Sequence, residues 1–312
     1  MNKTTVVHHS ADFDGLFCRE IAKKFLPDAE LIGWDFGDKR LVIPDHRIYV
    51  LDLPVDRVFG FKYEPGDADK NPPQHPAGLV WIDHHKSSIE THPTAIPGYR
   101  IDGVAACRLA WAWFATLQKN TGEPEAAVDS ATAAAIFPDK AAYVERRVTE
   151  PLAVRLAGEY DIWDKRDPNA ELFQHGLRSQ ELTELTWKLL LIDDGSADSV
   201  VESLLHNGKV LQFARTKENE SVIKRQGFDV EWEGLKFLAC NHAMFNSHLF
   251  TAGIKPEHEA LLGFRFDGKA FHVSLYHAPG KEHHDLSLIA VKHGGGGHRG
   301  ACGFRVAKLP FI

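Results

Sequence analysis

The sequence holds no apolar run approaching the roughly 20 residues that a membrane-spanning helix needs. Its opening stretch, MNKTTVVHHSADFDG, has neither the apolar segment nor the small-residue cleavage site of a secretory signal. A cytoplasmic location and no membrane partner are the resulting expectations. Cysteine is scarce: Cys18, Cys107, Cys240 and Cys302 lie far apart and form no CxxC pair, which argues against a disulfide framework or a thiolate zinc site. Excess basic charge is also lacking. The net charge of −7 and pI near 6.2 argue against a protein that coats long nucleic acid, because such affinity comes mainly from many Lys and Arg contacts to phosphates. There is no internal repeat, and no low-complexity tract beyond Gly294–Gly297.

What is present is the balance of a globular chain, 44% hydrophobic and 25% charged, in 312 residues, enough for two domains. Short Val- and Ile-rich runs at Thr5–Val7, Ile48–Leu51 and Leu79–Ile82 read as buried strands, and Leu16–Leu26 between the first two has helical spacing. The alternation predicts an α/β fold with a mostly parallel sheet. Residues 62–76, rich in Pro and Asp, read as a surface loop. Helical patterns follow at Val104–Leu117, Ala142–Leu156 and Ser199–Arg225, the last as a connecting helix. Beyond Gly227 the texture changes to strands with hairpin turns at Glu233-Gly234 and Asp267-Gly268-Lys269. The expected division is a catalytic domain over 1–195, a connecting helix over 196–226 and a smaller α/β domain over 227–312. Residues 227–312 hold 9 Lys+Arg against 8 Asp+Glu, with 27 against 35 before them, so the negative charge lies in the first domain.

That charge is concentrated at strand ends. His8-His9-Ser10-Ala11-Asp12-Phe13-Asp14-Gly15 follows the first strand, Asp52 ends the second, and Asp83-His84-His85 ends the third. Ligands of open α/β sheets bind beyond the carboxyl ends of the strands, where His8, Asp12 and Asp14 would project together. Taken alone, the first motif reads equally well as a turn with an aspartate helix cap. Three strands ending in acidic and imidazole groups are electrostatically unfavourable unless positive charge sits between them, and divalent metal supplies it. Asp161, in GEYDIWD, is a fourth element, with Asp164 as its competitor. Carboxylates mixed with imidazoles and no thiolate favour manganese, with magnesium as the alternative.

The order His-x3-Asp-x-Asp, Asp, Asp-His-His, Asp resembles the four motifs of the DHH phosphoesterase superfamily, which includes RecJ-type exonucleases, oligoribonucleases, cyclic-dinucleotide phosphodiesterases and family II pyrophosphatases. The resemblance implies two Mn2+ ions, one held by His8, Asp12 and Asp52, the other by Asp14, Asp52, His84 and Asp161, with Asp52 as the bridge. It also implies Asp83 as a supporting carboxylate and His85 as the histidine facing the substrate phosphate. Near the C-terminus, His293-Gly294-Gly295-Gly296-Gly297-His298-Arg299-Gly300 sits between a patterned helix and the strand GFRV. Glycines there let the backbone approach a phosphate, and His298 and Arg299 supply charged donors. The stretch is similar to the GGGH motif of the DHHA1 domain, which implies that Gly295, Gly296, Gly297, His298 and Arg299 bind substrate and disfavours a pyrophosphatase.

The departures are Tyr276 and His277 on a strand where DHHA1 domains often carry arginine, and His283-His284-Asp285, where Asp285 reads as a helix cap. Trp111 and Trp113 read as core; Trp163 could stack a base. The function expected is manganese-dependent hydrolysis of short oligonucleotides or linear dinucleotides to 5′-mononucleotides, by a monomer or homodimer with a short nucleotide as its partner. A cyclic mononucleotide phosphodiesterase, a phosphatase for 3′,5′-bisphosphorylated adenosine and a non-catalytic nucleotide sensor are the alternatives.

Overall fold

The structure is a computed structural model that describes residues 3–42, 45–60, 78–92, 96–121, 139–195, 198–243 and 246–312. The loop expected over 62–76 lies outside the described residues. The chain divides into two compact units, Met1–Lys209 and Val210–Ile312. Among the described residues no helix is long and apolar enough to cross a membrane.

The first unit is built on four parallel strands, β1 (Thr4–His9), β2 (Glu30–Trp34), β3 (Arg47–Leu51) and β4 (Leu79–Ile82), in the order β2-β1-β3-β4. The runs of Val, Ile and Leu in β1, β3 and β4 are buried on both faces, as a parallel sheet with covered faces requires. Alternate residues feed two cores: Val6, Tyr49, Leu51, Val80 and Ile82 on one face, Val7, Ile48, Val50, Leu79 and Trp81 on the other. No Val- and Ile-rich run marks β2, an edge strand with a single buried side chain, Trp34.

Helix α1 (Phe13–Phe25) begins where the Asp12 side chain accepts from Gly15 N–H at 3.0 Å, and it buries Phe17, Cys18, Ile21 and Ala22 against the sheet. Then come α2 (Val55–Phe59), α3 (Lys86–Thr91) and α4 (Ala106–Thr121). The single helix expected over Ala142–Leu156 is two, α5 (Lys140–Val144) and α6 (Leu152–Asp161). Pro151 separates them: its extended backbone sets the N-cap of α6, and proline within a helix removes a hydrogen bond and clashes with the preceding turn. Helices α7 (Asn169–Leu177) and α8 (Glu184–Leu190) complete the unit's packing, and α9 (Asp198–Gln226) runs through the division at Lys209.

The second unit is a six-stranded mixed sheet in the order β5-β6-β7-β8-β10-β9, from β5 (Gly227–Trp232), β6 (Leu235–Asn241), β7 (Ala260–Phe266), β8 (Phe271–His277), β9 (Gly296–His298) and β10 (Ala301–Val306). Glu233 (φ 51) and Gly234 (φ 77) both take left-handed backbone at the β5–β6 turn, the geometry that matches strand twist in a two-residue hairpin. At the β7–β8 turn Asp267 Oδ1 accepts from the N–H groups of Lys269 and Ala270, both at 2.8 Å. Helix α10 (Leu286–Lys292) is capped by Asp285, which accepts from Ser287 N–H, and it buries Leu286 and Ala290 against Leu262, Leu275 and Phe304. The fold class is α/β, a parallel sheet in one unit and a mixed sheet in the other.

Candidate metal centre

The strand ends of the first unit converge on one cluster. His9 is the last residue of β1. Gly15 lies so close beneath it that a Cβ would fall 2.2 Å from His9 O, so the start of α1 is packed tightly against the strand end and carries Asp12 and Asp14 with it. Asp52 follows β3 with φ 60, a left-handed conformation uncommon for a residue with a side chain, and its N–H is held by Ile82 O at 2.9 Å. Asp83-His84-His85 leaves β4, and Asp161 ends α6.

Three overlapping groups of ligand atoms result: His9, Asp12 and Asp52; Asp14, His84 and Asp161; and Asp52, His84 and His85. His9 Nδ1 lies 2.9 Å from Asp12 Oδ2 and 3.5 Å from Asp52 Oδ2. His84 Nε2 lies 3.5 Å from Asp14 Oδ2, 3.4 Å from Asp52 Oδ1 and 3.4 Å from Asp161 Oδ2. Asp52 therefore reaches both histidines with different oxygens, as a bridging carboxylate must.

His8 is not in the cluster. Its Nδ1 is 2.8 Å from His9 O, its ring lies beside Gly33 of β2, and burial pushes its pKa down. His9 stands where His8 was expected, and the reason is that β1 runs two residues beyond Thr5–Val7. Read two residues short, the strand leaves His8 as the first residue past the sheet; in the structure that residue still pairs with Gly33 and Leu51. The spacing that reaches the cluster is His-x2-Asp-x-Asp.

The supporting groups define how the cluster is held. Asp14 is fully buried, its Oδ2 accepting from Ala106 N–H at 2.9 Å and its Oδ1 from Cys107 N–H at 2.7 Å, both in the first turn of α4. Asp35 Oδ1 lies 3.2 Å from His9 Nε2, so that carboxylate takes the ring's outer N–H and turns Nδ1 inward. Asp83 is buried, and its Oδ1 accepts from the N–H groups of His84 at 2.8 Å and His85 at 3.3 Å while holding His85 Nδ1 at 2.7 Å. Asp83 thus orients His85 instead of joining the cluster. Asp164 points elsewhere, 2.8 Å from Arg166 Nε. Of these partners, Asp35 and the α4 N–H groups had no signal in the sequence, since neither lies at an end of a run rich in Val and Ile.

The electrostatics identify what the cluster could hold. Burial, reinforced by the Asp52 charge, pushes Asp14 up to about 7; burial and the Asp14 charge do the same to Asp161. The pKa values of His9 and His84 rise as well, which for a histidine favours the charged form. Burial opposes their charged forms, but hydrogen bonds and charge from Asp12 and Asp52 raise His9 to about 11, and those from Asp52, Asp14 and Asp161 raise His84 to about 10. Asp52 Oδ2 is buried without a hydrogen-bond partner. Four carboxylates held this close, one oxygen unsatisfied, and two imidazoles among them, one turned inward by the outer Asp35 carboxylate, fit divalent metal with a preference for oxygen and imidazole ligands.

No family model matches the sequence, and no curated protein matches it. Among solved structures, an exopolyphosphatase-related protein from Bacteroides fragilis aligns over 99% of this chain and 88% of its own length, at 12% identity and a TM-score of 0.50. The two share a fold. A pGpG-specific phosphodiesterase from Vibrio cholerae aligns over 98% of this chain and 93% of its own at 16% identity and a TM-score of 0.46, and an exonuclease RecJ bound to manganese over 98% and 86% at 14% and 0.47.

In the second unit the glycine segment divides into two kinds. A Cβ on Gly295 would fall 2.0 Å from Gly303 O, and one on Gly297 would fall 2.7 Å from Cys302 Cα, so both are required by the closeness of β10. Gly296 faces open space with no left-handed φ, and folding places no such demand on it. His298 is exposed. Arg299 is exposed too, its Nη2 donating to His283 O at 3.3 Å and its Nε 3.5 Å from Asp285 Oδ2. Trp111 and Trp113 are buried in the first unit's core, whereas Trp163 is 55% exposed.

Proposed function

We propose that this chain is a DHH/DHHA1 phosphoesterase that hydrolyses short oligonucleotides or linear dinucleotides to 5′-mononucleotides with manganese. The observation that carries the reading is the convergence of His9, Asp12, Asp14, Asp52, His84 and Asp161, drawn from three strand ends, a helix start and a helix end. These six would hold two divalent ions, with Asp52 shared and magnesium the alternative metal. When bound, such a pair lowers the pKa of an attacking water and neutralises charge on the phosphoryl oxygens.

The chain's own residues do the rest. Asp14, fixed by two N–H groups of α4, and Asp52, fixed by its backbone conformation, keep the carboxylates converged without rearrangement. His85, with Nδ1 held by Asp83, presents Nε2 to the phosphate. The Asp83 hydrogen bond raises its pKa, which favours the protonated ring that would donate to a phosphate oxygen. Water oxygen joins phosphorus, the bond to the 3′ oxygen breaks, and that oxygen leaves with a proton. Gly296, His298 and Arg299 would grip the substrate through backbone N–H and charged donors, the role carried by the resemblance of their motif.

Hydrolysis of inorganic polyphosphate is a second reading, favoured by the fold shared with the exopolyphosphatase-related protein. A panel with manganese separates them: dinucleotides, longer oligomers, cyclic mononucleotides, 3′,5′-bisphosphorylated adenosine and polyphosphate. Dinucleotides should yield 5′-mononucleotides, and chelator should abolish this. Full turnover by chelated protein, or turnover of polyphosphate alone, would overturn the proposal.

A further inference from the structure

Aromatic side chains in the first unit go overwhelmingly to the core; Trp81, Trp113, Tyr49 and Phe17 are at most 1% exposed. Among its described residues only two aromatics are exposed, Phe36 and Trp163, each at 55%. Phe36 packs against a ligand of one half of the metal centre, and Trp163 follows a ligand of the other half in the chain. The Phe36 ring lies 5.8 Å from the ring of His9, in the group His9, Asp12 and Asp52. Its backbone N–H is held at 2.6 Å by Asp35 Oδ1, the oxygen that also lies against His9 Nε2. Trp163 stands two residues beyond Asp161, in the group Asp14, His84 and Asp161.

The Phe36 ring also meets Trp34 edge-on at 5.8 Å and the Trp163 ring meets Tyr160 at 5.8 Å, yet both rings remain 55% exposed. Trp163 takes φ 56 just after the end of α6, where glycine would terminate the helix without strain, and its ring gains less burial there than a core site gives. Neighbouring hydrogen bonds hold it so: its N–H donates to Tyr160 O at 3.1 Å, and Asp164 N–H to Glu159 O at 2.8 Å. Phe36 occupies a turn closed by Asp38 N–H to Asp35 O at 3.0 Å, a place where polar residues are usual. Lys165 Nζ lies 5.2 Å from the centre of the Trp163 ring, bringing positive charge to that half of the site.

We propose that Phe36 and Trp163 are base-stacking platforms, one beside each half of the metal centre, which make the site selective for a phosphodiester flanked by nucleobases. This inference rests on the phosphoesterase reading and narrows its substrate class. Every base offers an aromatic face, so stacking would favour dinucleotides of any sequence over chains of phosphate, which offer none.

The test uses the full-length manganese-loaded protein, a 5′-phosphorylated dinucleotide, and its abasic analogue. Trp163→Ala and Phe36→Ala should each weaken the dinucleotide, seen as a rise in KM of roughly 5-fold to 150-fold with kcat changed much less. Neither should alter KM for the abasic analogue, and Trp163→Phe should recover most of the loss. A second arm measures binding by calorimetry with a non-hydrolysable dinucleotide and its abasic counterpart. Wild-type protein should prefer the base-bearing ligand, and Trp163→Ala should remove most of the preference. Equal binding of the two ligands by wild type, or an equal loss on both in the variants, overturns the platforms. If wild type hydrolyses neither substrate, the catalytic reading fails, and the binding arm still decides the platforms on its own.

Discussion

Replacing Asp52 by asparagine tests the shared carboxylate most directly. Asparagine matches aspartate in shape and tolerates left-handed backbone, so the change at φ 60 is one of charge, with little added strain. Asp52 touches both His9 and His84, at 3.5 and 3.4 Å, while each of the other ligands reaches one side of the cluster. In metal-free protein the substitution removes the charge that helps push Asp14 up, so Asp14 should ionise at lower pH. Folding should survive.

Metal should no longer stabilise the variant. An ion present at a hundred times its dissociation constant stabilises the folded state by about 2.7 kcal/mol, and two ions by roughly 5 kcal/mol. For a domain of about 200 residues each kcal/mol corresponds to roughly 2–4 °C in melting temperature, so manganese should raise the Tm of wild type by roughly 10–20 °C. Asp52→Asn should lose most of that shift, and its turnover should fall by about a thousandfold or more, as loss of several kcal/mol of transition-state stabilisation requires. Asp164→Ala is the control, because Asp164 pairs with Arg166 away from the cluster, and it should stay near wild type in both respects. The assay is thermal unfolding with manganese and with chelator. A full manganese shift in Asp52→Asn, or two tightly bound ions by metal analysis, would refute the bridge.

Two further outcomes follow. Asp14 and Asp161, with folded pKa values of about 7, hold protons that the unfolded chain has already lost, so metal-free protein should lose stability as pH rises from about 4 to about 7; the stability from His9 and His84 is full below about 6.5 and is lost toward about 11 and about 10 respectively. Manganese must displace those protons, so calorimetry in two buffers of different ionisation enthalpy should show net proton release and tighter binding at about pH 8 than at about pH 6, and flat affinity with no release would count against the cluster. Arg299→Ala should leave both ions in place and raise KM for a dinucleotide about tenfold to a hundredfold, with a smaller effect on a minimal phosphodiester; loss of metal in this variant would assign the glycine segment to the catalytic centre instead.

The features legible in the sequence are those whose cause is local. The hairpin at Glu233-Gly234 is visible because left-handed backbone at two successive positions demands particular residues, and Asp285 as a cap is visible because its side chain serves its own helix. Buried parallel strands announce themselves by continuous Val and Ile, whereas β2, buried at Trp34 alone, gives no such run. That His9 and not His8 reaches the cluster depends on two residues of strand length, a quantity that pairing with neighbouring strands decides and the apolar run Thr5–Val7 does not reveal.

The glycine segment shows the same limit from the other side. Four consecutive glycines suggest a backbone opened to a ligand, but Gly295 and Gly297 are required by β10, which approaches so closely that a Cβ would overlap backbone atoms. Only the position of a strand that arrives after the segment could show this. Gly296 is the member of the three whose lack of a side chain the fold does not explain, and it therefore remains the residue through which the segment would meet a phosphate. Gly296→Ala should accordingly fold as wild type does and lose substrate affinity, while alanine at Gly295 must displace Gly303 or Phe304 and cost stability first. Comparing the melting temperatures and KM values of the two variants separates packing from recognition, and a Gly296→Ala variant with unchanged KM would mean that the half-buried backbone there does not touch substrate.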